Sequence, residues 1–157
     1  MDLKLKNKVI LVSGDELALA AAISRLLGDE GALSILVTAS GSTSLKETVD
    51  RTIRRYSRID GLVTTGPDSA YLGQLCLPWL KKTNGSIVSI GVVAAIPQAG
   101  EGIRCRQFLP ECIGNNESVA ATAAFLLSPL SGRYVPNGQP CRAVGAAVIS
   151  PGHEPPG

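Results

Sequence analysis

Ser13-Gly14-Asp15-Glu16 sets a hydroxyl, a glycine and two carboxylates in consecutive positions directly after an apolar run. A strand that turns into a helix at such a place can hold a phosphate on the free N–H groups of the helix start. Asp15 and Glu16 work against that use, because like charges about 4 Å apart repel by about 1 kcal/mol in water and by more in a partly dry cleft. Their plainer role is to favour the positive end of the helix dipole. The cysteines Cys76, Cys105, Cys112 and Cys141 include no pair with the two-residue spacing of zinc ligands or a redox motif, so no metal site is expected. Cys105 lies between Arg104 and Arg106 and Cys112 follows Glu111, and basic neighbours lower a thiol pKa; packing as a small hydrophobe is the favoured reading. Ser89 lies inside an apolar run and reads as a packed strand serine. His153 sits in a Pro/Gly tail without a partner at fixed distance, and no catalytic or metal role is expected of it.

The elements that would position these groups follow from periodicity. Val9 to Val12 is a β-branched apolar run ending at Ser13-Gly14, a buried strand and turn. From Asp15 to Leu27, Leu19, Ile23, Leu26 and Leu27 share a helical face, with Ser13 or Asp15 as cap and Gly31 past the end. Leu33 to Thr38 is the next strand. Ser44-Leu45-Lys46-Glu47 has the form of a capping box, and Leu45, Val49, Ile53 and Tyr56 follow at helical spacing to Tyr56. Gly61 to Thr65 is a third strand, Ser69 to Lys82 a helix kinked by Pro78, and Gly85 to Gly91 a fourth strand. Ile103 to Leu109 reads as a fifth strand, Glu117 to Leu127 as a helix with Val119, Ala123, Leu126 and Leu127 on one face, and Cys141 to Ile149 as a last strand. The arginines at 51, 54, 55 and 58, and Lys81-Lys82, read as solvated helix faces.

Alternating strands and helices with short connections predict an α/β fold, a mostly parallel sheet with helices on both faces joined by right-handed crossovers: the doubly wound, Rossmann-like class. With 157 residues, 45% hydrophobic and 18% charged, one domain over 1–150 and a disordered tail over 151–157 are expected. Aromatics at only 4% fit helix-and-sheet layers better than a sandwich. The formal charge of +2 shows no basic stripe, so neither nucleic acid nor an anionic membrane is an expected partner. Met1 to Lys8 lacks a signal-peptide core, no run is long enough to span a membrane, and the expected place is the reducing cytosol.

Several stretches resemble the short-chain dehydrogenase/reductase family over nearly the whole chain, with gaps. Leu5 to Ala32 is similar to its first strand, glycine turn and helix, and Arg58-Ile59-Asp60-Gly61-Leu62-Val63 to the entry of its fourth strand. Gly85-Ser86-Ile87-Val88-Ser89-Ile90 resembles the strand before the catalytic serine. Gly102-Ile103-Arg104 with Pro110 resembles the strand after the catalytic helix, and Phe125-Leu126-Leu127-Ser128 the end of the late helix. The resemblance implies a Rossmann-like domain shortened by one strand–helix unit and by the catalytic helix. It also implies that a dinucleotide would lie against Ser13, Gly14, Thr38, Thr65 and Gly66.

The functional positions depart from the family pattern. Its three glycines correspond to Gly14, Ala18 and Ala20, and alanine methyls narrow the approach of a pyrophosphate. Thr38-Ala39-Ser40 offers neither the acid that suits NAD nor the base that suits NADP, and the family's amide-rich phrase appears as Thr64-Thr65-Gly66-Pro67. Val92 stands where the catalytic serine is expected. From Val92 to Gly102, eleven residues that include Pro97 and Gly100, there is no tyrosine to protonate a carbonyl oxygen. That length also strains a crossover to a parallel neighbour, leaving the 103–109 strand to pair elsewhere, run antiparallel or not form. No catalytic residue and no cofactor are therefore expected, with NAD and NADP disfavoured. The first expectation is a non-redox binding or partner protein. The alternatives are a remodelled isomerase or cyclase using an acid such as Asp15, Glu16 or Asp68 in the same cleft, a weak NAD(P)-dependent oxidoreductase, and a remnant without function. A small-molecule ligand is compatible with the first two. Loss of the covering helix would expose Tyr71, Leu72, Leu75 and Trp79, predicting a homodimer, or a heteromer with a full-length relative, with Trp79 near the contact.

Overall fold

Val9–Ser13 (β1) is buried at every position, as a strand flanked on both sides and covered on both faces must be. In the computed structural model, which describes residues 3–14, 16–37, 42–65, 69–91, 104–108, 115–129, 142–144 and 147–149, the further elements are Leu17–Asp29 (α1), Leu33–Val37 (β2), Ser42–Tyr56 (α2), Gly61–Thr65 (β3), Ser69–Thr83 (α3), Ser86–Ile90 (β4), Arg104–Phe108 (β5), Asn116–Leu127 (α4), Arg142–Val144 (β6) and Ala147–Ile149 (β7). The first five strands form one sheet in the order β2-β1-β3-β4-β5, and every neighbouring pair is parallel. Among the described residues this is the six-stranded dinucleotide-binding order with the outermost strand of its first half left out.

Side-chain alternation divides the core into two layers. Ile10, Val12, Val63, Val88 and Phe108 join Leu19, Ile23 and Leu27 of α1 and Val119, Ala123 and Leu126 of α4 in one cluster. Leu11, Leu62 and Ile87 join Leu45 and Val49 of α2 and Leu72 and Leu80 of α3 in the other. Each fully buried Leu, Val or Ile contributes about 1.5–3 kcal/mol relative to an exposed one.

Four expectations need correction. α1 begins at Leu17, and its N-cap is Glu16, whose side chain makes no capping hydrogen bond; Ser13 belongs to β1 and Asp15 lies outside the described residues. α2 begins at Ser42, so Ser44 sits inside the helix and its carbonyl accepts from Thr48 Oγ1 at 2.9 Å. The segment 103–109 forms β5, parallel to β4 with Ser86 opposite Arg104 and Ile90 opposite Phe108. Counted between the strand ends, residues 91–103 just exceed the dozen a parallel crossover needs. The stretch read as one last strand is two, β6 and β7, paired antiparallel with Val144 opposite Ala147, a two-residue connection that contains Gly145 and so has hairpin spacing.

α3 runs unbroken past Pro78, and Thr83 Oγ1 at its end donates to the Ile59 carbonyl at 2.8 Å. The surface expected on this helix is largely covered: Leu72 and Leu80 are fully buried. Tyr71, Leu75 and Trp79 are partly buried against the α2–α3 cluster, and Lys82 Nζ lies 4.4 Å from the centre of the Trp79 ring. Leu3 and Leu5 are buried with α1 and α4, and the Leu3 carbonyl accepts from Ser128 Oγ at 2.6 Å. The Phe-Leu-Leu-Ser phrase thus holds the start of the chain against the end of α4. No described helix is long and apolar enough to cross a membrane. The tail 151–157 lies outside the described residues.

Candidate functional site

The direction of winding reverses between β1 and β3: β2 lies to one side of β1 and β3 to the other. α1 and α2 leave on opposite faces. In open α/β sheets ligands bind in the crevice that this reversal opens beyond the carboxyl ends of the strands. Of the five positions assigned to a cofactor, Ser13, Gly14 and Thr65 are found there; Thr38 and Gly66 lie outside the described residues, as do Asp15 and Asp68. Ser13 is paired with Thr64, one step before the two strand ends meet. A Cβ on Gly14 would overlap Thr65 Oγ1, so a larger residue there must displace the Thr65 side chain, with or without a ligand.

The other two glycine positions are unlike each other. Ala20 is 3% exposed and belongs to the α1–α4 core, so its methyl fills packing space. Ala18 is exposed, and beside it Leu17 is the most exposed large hydrophobic side chain described, at 63%. The first turn of α1 carries no acidic residue, and Glu16 is exposed at its cap. Its open N–H end is therefore framed by Leu17, Ala18 and the Glu16 carboxylate, a poor cradle for a diphosphate.

Sequence reasoning missed a row of polar groups just below the strand ends. Ser13 pairs with Thr64, Thr64 with Ser89, and Ser89 with Gln107, which places three hydroxyls and an amide side by side on the face covered by α2 and α3. Thr64 and Ser89 are fully buried, and Ser89 Oγ has no hydrogen-bond partner among the described residues. Gln107 Nε2 donates to the Gly91 carbonyl at 3.1 Å. Gly91 has φ +97°, a conformation that favours glycine, and its N–H bonds the Phe108 carbonyl at 2.8 Å. The only signal for this row was the shared parity of its members within their strands, and the strand order was needed to align them. Val92 lies outside the described residues.

At the opposite ends of the strands, Asp60 joins three of them. Its Oδ2 accepts from Val9 N–H at 2.9 Å, its own N–H bonds the Val9 carbonyl at 2.7 Å, and its carbonyl accepts from Ser86 N–H at 3.2 Å. Arg58 completes the arrangement, with Nη2 2.6 Å from Oδ1 and Nε 2.8 Å from Oδ2. The bond and the charge of Asp60 hold the Arg58 guanidinium above its ordinary pKa. The phrase that resembled an entry into a strand is thus a structural clamp.

Cys76, on α3, lies in the core, and burial pushes its pKa up to about 12. Cys105 turns toward the α2–α3 cluster, whereas Arg106, next along the strand, points to the other face. Cys112 and His153 lie outside the described residues.

No family model matches the chain, and no curated protein matches it. Among solved structures, the ligand-free Thermoplasma acidophilum aldohexose dehydrogenase is 15% identical with a TM-score of 0.67, the match covering 85% of this chain and 91% of the dehydrogenase. An NADH-dependent reductase, A1-R′, complexed with NAD is 17% identical with a TM-score of 0.66, covering 99% and 100% of the two chains. A Serratia marcescens short-chain dehydrogenase/reductase is 17% identical with a TM-score of 0.59, covering 82% and 92%. The chain has the short-chain dehydrogenase/reductase fold, as the resembling stretches implied.

Proposed function

We propose that this chain is a non-redox binding or partner protein on a short-chain dehydrogenase/reductase-like scaffold, taking no nicotinamide dinucleotide as a cofactor and associating with itself or a full-length relative. One observation carries the reading. Hydride transfer of the family's kind needs a tyrosine with a lysine four residues on to protonate the substrate oxygen, and the positions four residues after Tyr56, Tyr71 and Tyr134 hold Asp60, Leu75 and Gly138. Tyr56 ends α2, and Tyr71, in the first turn of α3, is partly buried against the α2–α3 cluster. Among the described residues both core layers of the scaffold are formed.

The remaining polar groups at the crevice suit recognition better than acid–base chemistry. Ser13, Thr65 and the N–H groups at the start of α1 offer neutral hydrogen bonds, and Leu17 offers apolar surface at the mouth. Isothermal titration with NAD, NADH, NADP and NADPH tests the proposal. No saturable heat is expected up to about 1 mM, a concentration at which even a Kd worth only about 4 kcal/mol of binding registers; micromolar binding of any of the four would sink it.

A further inference from the structure

We propose that the open edge of β2 pairs with β2 of a second copy of this chain, so that two five-stranded sheets continue into one across a two-fold axis. This names the partner and surface of the association proposed above and rests on that part of the reading, not on the crevice. Among the described residues β2 ends the sheet, with β1 as its one neighbour. Leu33 and Leu36 on this strand are 43% and 39% exposed, two of the three exposed large hydrophobics among the described residues. Sheet edges that must stay single are blunted by proline, charge or a bulge, and Leu33-Ser34-Ile35-Leu36-Val37 carries neither proline nor charge. The strand is held firmly for pairing, since Ser34 Oγ is hydrogen-bonded to Ser24 Oγ of α1 at 2.7 Å.

The surroundings of the edge fit a copy of the same surface. An antiparallel pairing centred on Ile35 sets Leu33 opposite the copy's Val37 and Leu36 opposite the copy's Ser34, so each exposed leucine gains a cross-strand neighbour. Beside the strand runs a cleft of about 300 Å³ lined by Ile35, Leu36, Ser44, Glu47, Thr48 and Arg51. Glu47 and Arg51, one turn apart on α2, are both exposed, and neither has an ion-pair partner among the described residues. A two-fold axis through the paired strands makes the two α2 helices antiparallel, so Glu47 faces the copy's Arg51 and Arg51 the copy's Glu47. Such reciprocal contacts are what an isologous interface requires, and this self-complementarity favours a second copy over an unrelated strand.

Sedimentation equilibrium of the full chain from about 1 to 100 μM, a range that resolves modest dimers, tests the proposal with three variants checked for folding by circular dichroism. Wild type is expected to dimerise and Leu36→Lys to be monomeric. Arg51→Glu should weaken the dimer by about tenfold or more, and the double exchange Glu47→Arg/Arg51→Glu should return to within about threefold of wild type. If Leu36→Lys fails to fold, the charge exchange alone decides. A monomeric wild type overturns the proposal, whether amide exchange at Leu33–Val37 is fast or is slow because the chain covers its own edge. A dimer indifferent to these variants also overturns it, placing the contact elsewhere, as at Trp79, and so does association only with a different protein. Dinucleotide binding by an intact β2 dimer would overturn the crevice reading and leave this one standing.

Discussion

Cys76 shows how a residue able to do chemistry is turned to structure. Its thiol is fully buried among Leu72, Leu80 and Ile87, and desolvation raises its pKa from an ordinary 9.0 to about 12. Below pH 9 both folded and unfolded chains hold the proton, and the full contribution to stability is present. Between about pH 9 and 12 the unfolded chain releases it while the folded chain keeps it, so stability falls as pH rises. The midpoint of urea unfolding should therefore drop more steeply over that interval in wild type than in Cys76→Ala. Equal slopes would show that the thiol is not desolvated. Ser89 is the companion case: its reading as a packed strand serine agrees with complete burial in β4, but its alignment with Thr64 and Gln107 depends on neighbours far away in sequence.

Among the elements, the Asp60 clamp ties the starts of β1, β3 and β4 together through its carboxylate, its N–H and its carbonyl. Asp60→Ala leaves the buried Val9 N–H without an acceptor, which costs about 1–3 kcal/mol, and the loss of Arg58 adds little because that side chain is 47% exposed. Asp60→Ala should thus lower stability by about 2 kcal/mol or more and Arg58→Ala by under about 1 kcal/mol, measured by chemical denaturation. Similar losses for the two would mean that the ion pair, not the strand tie, dominates. β3 coincides with its expected span because Gly61 and the apolar run bound it sharply. The helix starts moved because capping residues in a polar stretch look alike: Ser42, Thr43 and Ser44 all suit the start of α2. The direction of β5 was not legible, since a short connector sets only a lower limit on where the chain returns. Gly14 and Thr65, which the resemblance assigned to a dinucleotide, lie against one another, and that contact depends on β1 and β3 being neighbours.

On the scale of the whole molecule, the sheet of the described residues ends at β2, which forms an edge, and has its crevice at the switch point between β1 and β3. Apolar surface expected on α3 lies instead on β2, because α2 and α3 cover one another while nothing described covers Leu33 and Leu36. The scaffold and the dinucleotide, found together in the reductase A1-R′ complexed with NAD, are separated in this account. The most direct test is a two-dimensional amide NMR titration of the isotope-labelled full chain with NADH, followed at Gly14, Thr65 and the first turn of α1. The account predicts that these amide signals stay in place up to about 1 mM dinucleotide, beyond the concentration at which typical enzyme sites saturate. Saturable shifts confined to those amides would contradict it.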